Sequence, residues 1–205
     1  VVATDDERIR IEAESFGAKV VMTSKKCRNG TERCADALKN INFNGDLIVN
    51  LQGDAPLTPE WFVEDLIETF KKDPDTQMAT PILRLDKDSL NSFRLDRNSG
   101  RVGGTTVVFD KNNNALYFSK EIIPFFDEKR LMQTEACPIF HHVGVYAYRP
   151  EILSKYHTWK ESSLERLEGL EQLRFLENSC AIKCVLVDSR GRTFWELNNP
   201  EDVMK

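Results

Sequence analysis

One carboxylate stands out by where the chain puts it. The apolar run Leu47-Ile48-Val49 ends in Asn50-Leu51-Gln52-Gly53-Asp54-Ala55-Pro56, and Pro59-Glu60 then open an amphipathic segment. That order sets Asp54 at the C-terminal tip of a buried parallel strand, where open α/β sheets bind ligands. A carboxylate there can hold a hard cation against phosphate. Gly, Asp and Pro are also ordinary turn residues, so a plain turn is the alternative reading of the same stretch. His142 and Tyr146 lie four apart in an apolar segment, and on a strand both would project from one face. A histidine in such a strand also serves as a satisfied core group. Glu171 and Gln172 interrupt a leucine-rich segment, where they bond a hydroxyl-rich ligand or simply face solvent. Arg33 follows Gly30-Thr31-Glu32, and its fork suits phosphate or carboxylate, with a solvated helix charge as the alternative.

The elements that must position these groups follow from hydrophobic patterning. Strands are expected at Val1 to Thr4, Lys19 to Met22, Leu47 to Leu51, Met78 to Leu83, Phe140 to Tyr148, Ile182 to Val187 and Thr193 to Trp195. Thr105 to Phe109 and Ala115 to Phe118 flank Asp110-Lys111-Asn112-Asn113-Asn114, a hairpin signal. Helices are expected from Asp5-Asp6-Glu7 to a stop at Gly17, from Gly30 through Leu38, from Pro59 to Lys71 and from Ser163 to Glu177. In the first, Ile9, Ile11, Ala13 and Phe16 are the apolar positions. A terminal helix starts at Pro200, and residues 86–100 read as a helical turn plus loop. Alternating strands and helices predict one α/β domain over residues 1–205, a mostly parallel sheet with a small antiparallel extension.

Composition narrows the class. The chain has 205 residues and a formal charge of −5, which argues against a nucleic-acid or membrane-surface partner. No apolar run approaches the roughly eighteen residues that span a bilayer. Cys27, Cys34, Cys137, Cys180 and Cys184 lack zinc-site spacing and read as reduced, mostly buried thiols of a cytoplasmic protein. No Gly-x-Gly-x-x-Gly follows a strand, which excludes a dinucleotide dehydrogenase.

Several motifs occur in order along the chain: Val2-Ala3-Thr4-Asp5-Asp6-Glu7-Arg8-Ile9, Gly30-Thr31-Glu32-Arg33, Gln52-Gly53-Asp54-x-Pro56, Met78-Ala79-Thr80, Ala115-Leu116-Tyr117-Phe118-Ser119, His142-Val143-Gly144-Val145-Tyr146 and Leu170-Glu171-Gln172-Leu173-Arg174. Together they resemble the 3-deoxy-manno-octulosonate (Kdo) cytidylyltransferase family, the CMP-Kdo synthetases of lipopolysaccharide biosynthesis. The resemblance implies a three-layer, Rossmann-like nucleotide-diphospho-sugar transferase fold, CTP and a 3-deoxy sugar acid as substrates, Mg²⁺ as cofactor and a homodimer. It implies that Asp54 binds the metal and that Arg33 meets phosphate or carboxylate. Gln52, Lys120, His142, Tyr146, Glu171 and Gln172 would line the sugar-acid pocket.

Three departures qualify what the resemblance implies. The family's first strand and its basic phosphate-gripping loop have no counterpart here, so the domain is expected to be N-terminally incomplete. Asn198 stands where the family carries a second metal-binding aspartate, with Glu196 or Asp202 as substitutes. Ala55 and Lys120 replace a glutamate and an arginine. A cytidylyltransferase for a related sugar acid and a non-catalytic relative are the alternative readings.

Overall fold

The computed structural model describes residues 1–102, 104–127 and 136–192. The expected strand at Thr193 to Trp195, the helix from Pro200, and Glu196, Asn198 and Asp202 lie outside the described residues.

The chain opens with β1 (Val2–Thr4) and α1 (Glu7–Ser15), then β2 (Val20–Met22) parallel to β1. Asp6 caps α1 by accepting from the Arg8 amide at 2.8 Å, and Gly17 ends it with φ +82°, as its sequence position implies. Ile9, Ile11 and Phe16 nevertheless face outward, and only Ala13 of α1 is buried. Next come α2 (Gly30–Lys39), β3 (Ile48–Leu51), α3 (Glu60–Lys72) and β4 (Met78–Arg84). Then follow α4 (Lys87–Asn98), the hairpin β5 (Thr105–Phe109) and β6 (Ala115–Ser119), and β7 (Phe140–His142) with β8 (Val145–Tyr148). The chain continues through α5 (Pro150–Tyr156), α6 (Ser163–Glu168), α7 (Leu173–Glu177) and β9 (Lys183–Leu186).

The main sheet is mostly antiparallel, which corrects the parallel expectation. β7 and β8 form one run broken at Val143-Gly144, and this run is antiparallel to β4 on one side. On its other side β8 is antiparallel to β3 and β7 to β5. β3 and β4 do point the same way, as a helix crossover requires, and β9 is parallel to β4. They are not neighbours, because a strand from much later in the chain lies between them. Alternation in sequence sets strand direction but not adjacency.

Side-chain alternation along this inserted strand builds the two flanking layers. Val145 and Ala147 meet Trp61, Phe62, Leu66 and Phe70 of α3. Tyr146 and Tyr148 point the other way, into a cluster with Leu153 and Tyr156 of α5 and Phe175 of α7. Burial of these apolar faces is the main force holding helices to sheet.

Two helices differ from expectation. Residues 87–98 form a full helix, because Asp86 caps it through the Ser89 amide at 2.7 Å and Leu90 and Phe93 bury against Leu85 and Ile139. The expected helix at 163–177 is two, α6 and α7. Gly169 turns left-handed at φ +64°, and its amide donates back to the Glu165 carbonyl at 2.7 Å. α5, starting with Pro150 in its first turn, was not visible as a distinct periodic segment. All five cysteines are free, but only Cys184 is fully buried. Among the described residues no helix is long and apolar enough to cross a membrane.

Leu66 is completely enclosed between α3 and the sheet. Leu66→Ala should lower the unfolding free energy by about 2–5 kcal/mol, read from the shift in urea midpoint at unchanged slope.

Candidate active site

A cleft of about 460 Å³ opens where the C-terminal end of β3, the N-terminal end of α2, the β7–β8 break and the α6–α7 break converge. Gln52, Asp54 and Lys120 line it, together with His142, Tyr146, Glu171 and Gln172. Sequence reasoning had drawn these residues from four separate segments.

Glu171 is the centre of this arrangement. One carboxylate oxygen accepts from the Gln52 amide at 2.7 Å, and the other accepts from the Thr31 backbone N–H at 2.8 Å. The second contact satisfies one of the unpaired amides at the start of α2, where a negative charge is also favoured by the helix dipole. Asn29 serves as the formal cap, its side chain taking the Glu32 amide at 2.8 Å. Burial pushes the Glu171 carboxyl above the usual carboxylate range, against the pull of those hydrogen bonds. Gly30 makes the geometry possible: a Cβ there would lie 2.9 Å from Gln52 Nε2.

Gln172, buried beside it, accepts the Tyr146 hydroxyl through Oε1 at 3.1 Å. Its Nε2 is buried and has no hydrogen-bond partner among the described residues, in a residue of the cleft lining. His142 lies beside Tyr146, with ring centroids 5.5 Å apart and planes tilted by 35°. The Thr80 hydroxyl turns its single proton toward two carbonyls, Val145 at 2.8 Å and Val143 at 3.1 Å. That leaves His142 Nε2 to donate to Thr80 Oγ1 at 3.0 Å, so the hydrogen-bond network assigns the Nε2–H tautomer. Burial, reinforced by neighbouring His141, pushes the His142 pKa down to about 3, and the ring is neutral at physiological pH.

The cleft is braced from behind by charge. Arg174, only 1% exposed, donates to both oxygens of Glu165 and to Glu32 at 3.0 Å, with its guanidinium 4.2 Å above the Tyr156 ring. Glu32 also holds Arg28, which reaches on to Glu161 at 3.3 Å on the cleft wall. Tyr156 ties this brace to the site by donating to the Glu171 carbonyl at 3.2 Å. None of Arg28, Glu165 or Arg174 had been assigned a role from sequence. The Ser162-Ser163-Leu164-Glu165 spacing was the available signal, since the Glu165 side chain takes the Ser162 amide at 3.1 Å.

Arg33 lies apart from the cleft lining. It pairs with Asp5 at 2.9 Å and donates to the Thr23 hydroxyl at 2.7 Å, joining α2 to the ends of β1 and β2. Asp54 is exposed at the cleft, and Lys120 reaches it with no carboxylate in ion-pair range among the described residues. No group of three His, Cys, Asp or Glu side chains among the described residues forms a metal cage. A Mg²⁺ ion does not need one, because it is commonly held by one or two carboxylates with waters and substrate phosphates. Asp54 fits that pattern. Among the described residues the cleft thus offers a cation ligand, the Lys120 ammonium, the Arg166 guanidinium and several neutral hydrogen-bonding groups, a set suited to an anionic, hydroxyl-rich ligand.

Residues 1–183 match the cytidylyltransferase family, and the chain belongs to it. Its relatives are more particular. The 3-deoxy-manno-octulosonate cytidylyltransferase of Maricaulis maris (strain MCS10) is 44% identical over 205 residues, covering 100% of this chain and 78% of the relative. The 8-amino-3,8-dideoxy-manno-octulosonate cytidylyltransferase of Shewanella sp. (strain W3-18-1) is 39% identical over 206 residues, with the same coverage of 100% and 78%. Among solved structures, a CMP:2-keto-3-deoxy-manno-octonic acid synthetase complexed with CTP superposes with a TM-score of 0.75 at 31% identity. That match covers 91% of this chain and 70% of the other.

Glu32 carries a pH signature of the brace. Burial would raise its pKa, but hydrogen bonds from the Arg28 side chain and backbone and from Arg174 hold it at about 2, below its ordinary 4.5. The stabilisation is therefore fully present above pH 4.5 and lost as pH falls through about 2. Glu32→Gln should be less stable than the parent at neutral pH. Chemical denaturation across the acid range should show that difference shrinking between pH 4.5 and about 2.

Proposed function

We propose that this chain is a 3-deoxy-manno-octulosonate cytidylyltransferase, converting CTP and Kdo to CMP-Kdo and pyrophosphate for lipopolysaccharide synthesis. The observation that carries this reading is the convergence of Gln52, Asp54, Lys120, His142, Tyr146, Glu171 and Gln172 on one cleft. The anomeric hydroxyl oxygen of the sugar acid bonds to the α-phosphorus, the bond to the pyrophosphate bridging oxygen breaks, and the hydroxyl proton passes to solvent. Such a reaction asks for positioning and charge neutralisation more than for covalent help from the protein.

In this reading the Lys120 ammonium meets the sugar-acid carboxylate. The buried Gln172 amide, the Tyr146 hydroxyl and neutral His142 take the sugar hydroxyls. Glu171, locked by Gln52 and Thr31, fixes the wall against which the sugar rests. Asp54 would hold Mg²⁺, which when bound supplies positive charge against the phosphates. Arg33 receives no role in the cleft. The family resemblance also carries the expectation of a homodimer, and the cysteine usage that of a cytoplasmic location.

The second reading is a cytidylyltransferase for an 8-amino sugar acid, favoured by the 39% identity to the Shewanella relative of that name. Pyrophosphate release, measured with CTP, Mg²⁺ and either Kdo or its 8-amino analogue, separates the two by relative kcat/KM. With the preferred acid, Asp54→Asn should cut turnover by roughly a hundredfold or more while leaving circular dichroism and urea midpoint unchanged. Near-parental turnover would remove Asp54 from the metal role.

A further inference from the structure

The route by which Lys120 enters the cleft is set by a dipeptide on another element. The Lys120 backbone N–H donates to Glu168 Oε2 at 3.0 Å, and the Ser119 hydroxyl donates to Oε1 at 2.7 Å. Tyr117, on the same strand, adds its hydroxyl to Oε1 at 3.3 Å. One carboxylate at the end of α6 thus holds the whole C-terminal end of β6. Glu168 is not part of the cleft lining, and among the described residues no cation pairs with it. Its acceptor capacity goes to the strand end that launches Lys120.

The adjoining residue completes the arrangement. Gly169 takes φ +64°, and a Cβ there would lie 2.8 Å from Lys120 Nζ. The lysine ammonium therefore lies close over the bare backbone of Gly169, while Glu168 holds the strand end from which the side chain leaves. We infer that Glu168 is a positioning residue that sets affinity for the sugar acid through Lys120, with Gly169 keeping the lysine's path open. This rests on the reading of the cleft as a sugar-acid site.

A double-mutant cycle tests it, using pyrophosphate release with CTP, Mg²⁺ and Kdo. Lys120→Ala should raise KM for the sugar acid about tenfold to a hundredfold, the range for a lost hydrogen bond to a charged group. Glu168→Gln should raise the same KM about three- to tenfold, because an amide cannot accept from both Ser119 and Lys120 through two oxygens. Its kcat and KM for CTP should stay within about twofold of the parent. In the Lys120→Ala background Glu168→Gln should add less than about 1.5-fold. Additive effects, or an equal rise in KM for CTP, would overturn the inference, as would an unchanged KM in Lys120→Ala.

A second readout does not depend on turnover. With lysines carrying ¹³C-dimethyl labels, the Lys120 resonance should move toward the position of solvent-exposed lysines in Glu168→Gln, while the Lys155 resonance stays. An unmoved Lys120 resonance sinks the positioning role even where the parent turns over neither sugar acid, an outcome that would sink the functional reading separately.

Discussion

Everything at the cleft leans on the carboxylate of Glu171. It takes the Thr31 amide in the first turn of α2 and the side-chain amide of Gln52 at the tip of β3, so two elements are held together by one side chain. Each contact is individually modest, about 1.5–3 kcal/mol for a hydrogen bond to a charged acceptor. Their importance is geometric. The group is half-buried at the cleft wall, so losing either donor would leave a partly desolvated carboxylate short of a partner, and the arrangement favours all of its members being present together. Gly30 is the condition for this contact, because any larger residue would collide with Gln52.

Behind that contact the Glu32–Arg174–Glu165 chain performs a different task. An ion pair this deep is weak evidence for net stability, since desolvation offsets much of its attraction. What it does fix is direction. Arg174 joins the first turn of α2 to α6, Tyr156 lies under the guanidinium, and the Tyr156 hydroxyl reaches the backbone of Glu171. The break at Gly169 leaves Glu171 and Gln172 between α6 and α7, and the break at Val143-Gly144 sets His142 and Tyr146 on its two sides, so the four meet at the cleft.

Much of this could be read from residue types. The β5–β6 turn was legible because Asp110-Lys111 and the three asparagines after them specify their own geometry, with the Asp110 side chain accepting the Asn112 and Asn114 backbone amides at 2.8 Å. The cleft residues were legible only through ordered motifs, since a lone His142 or Glu171 looks like any core or surface group. Other features were hidden for physical reasons. The leucine spacing from Leu164 to Leu176 continues through the α6–α7 break, so periodicity alone could not reveal that Gly169 ends one helix. The polar face of α4 masked its two burying residues. Arg33 shared a motif with the site but found its partner in Asp5, a pairing that only the packing of α2 against β1 discloses. Sheet adjacency was hidden too, because strand order depends on which later segment enters between β3 and β4.

That late-entering strand has a consequence for biosynthesis. The bonds that define the cleft join residues 140 and 119 positions apart, Thr31 to Glu171 and Gln52 to Glu171. While the nascent chain is still emerging from the ribosome, β3 and β4 expose bare edges to one another and to neighbouring polypeptides until β8 is made. A cleft assembled from segments this far apart in sequence can therefore exist only after synthesis has passed Gln172. Until then, the half-made sheet is the molecule's period of greatest vulnerability to aggregation and to chaperone capture.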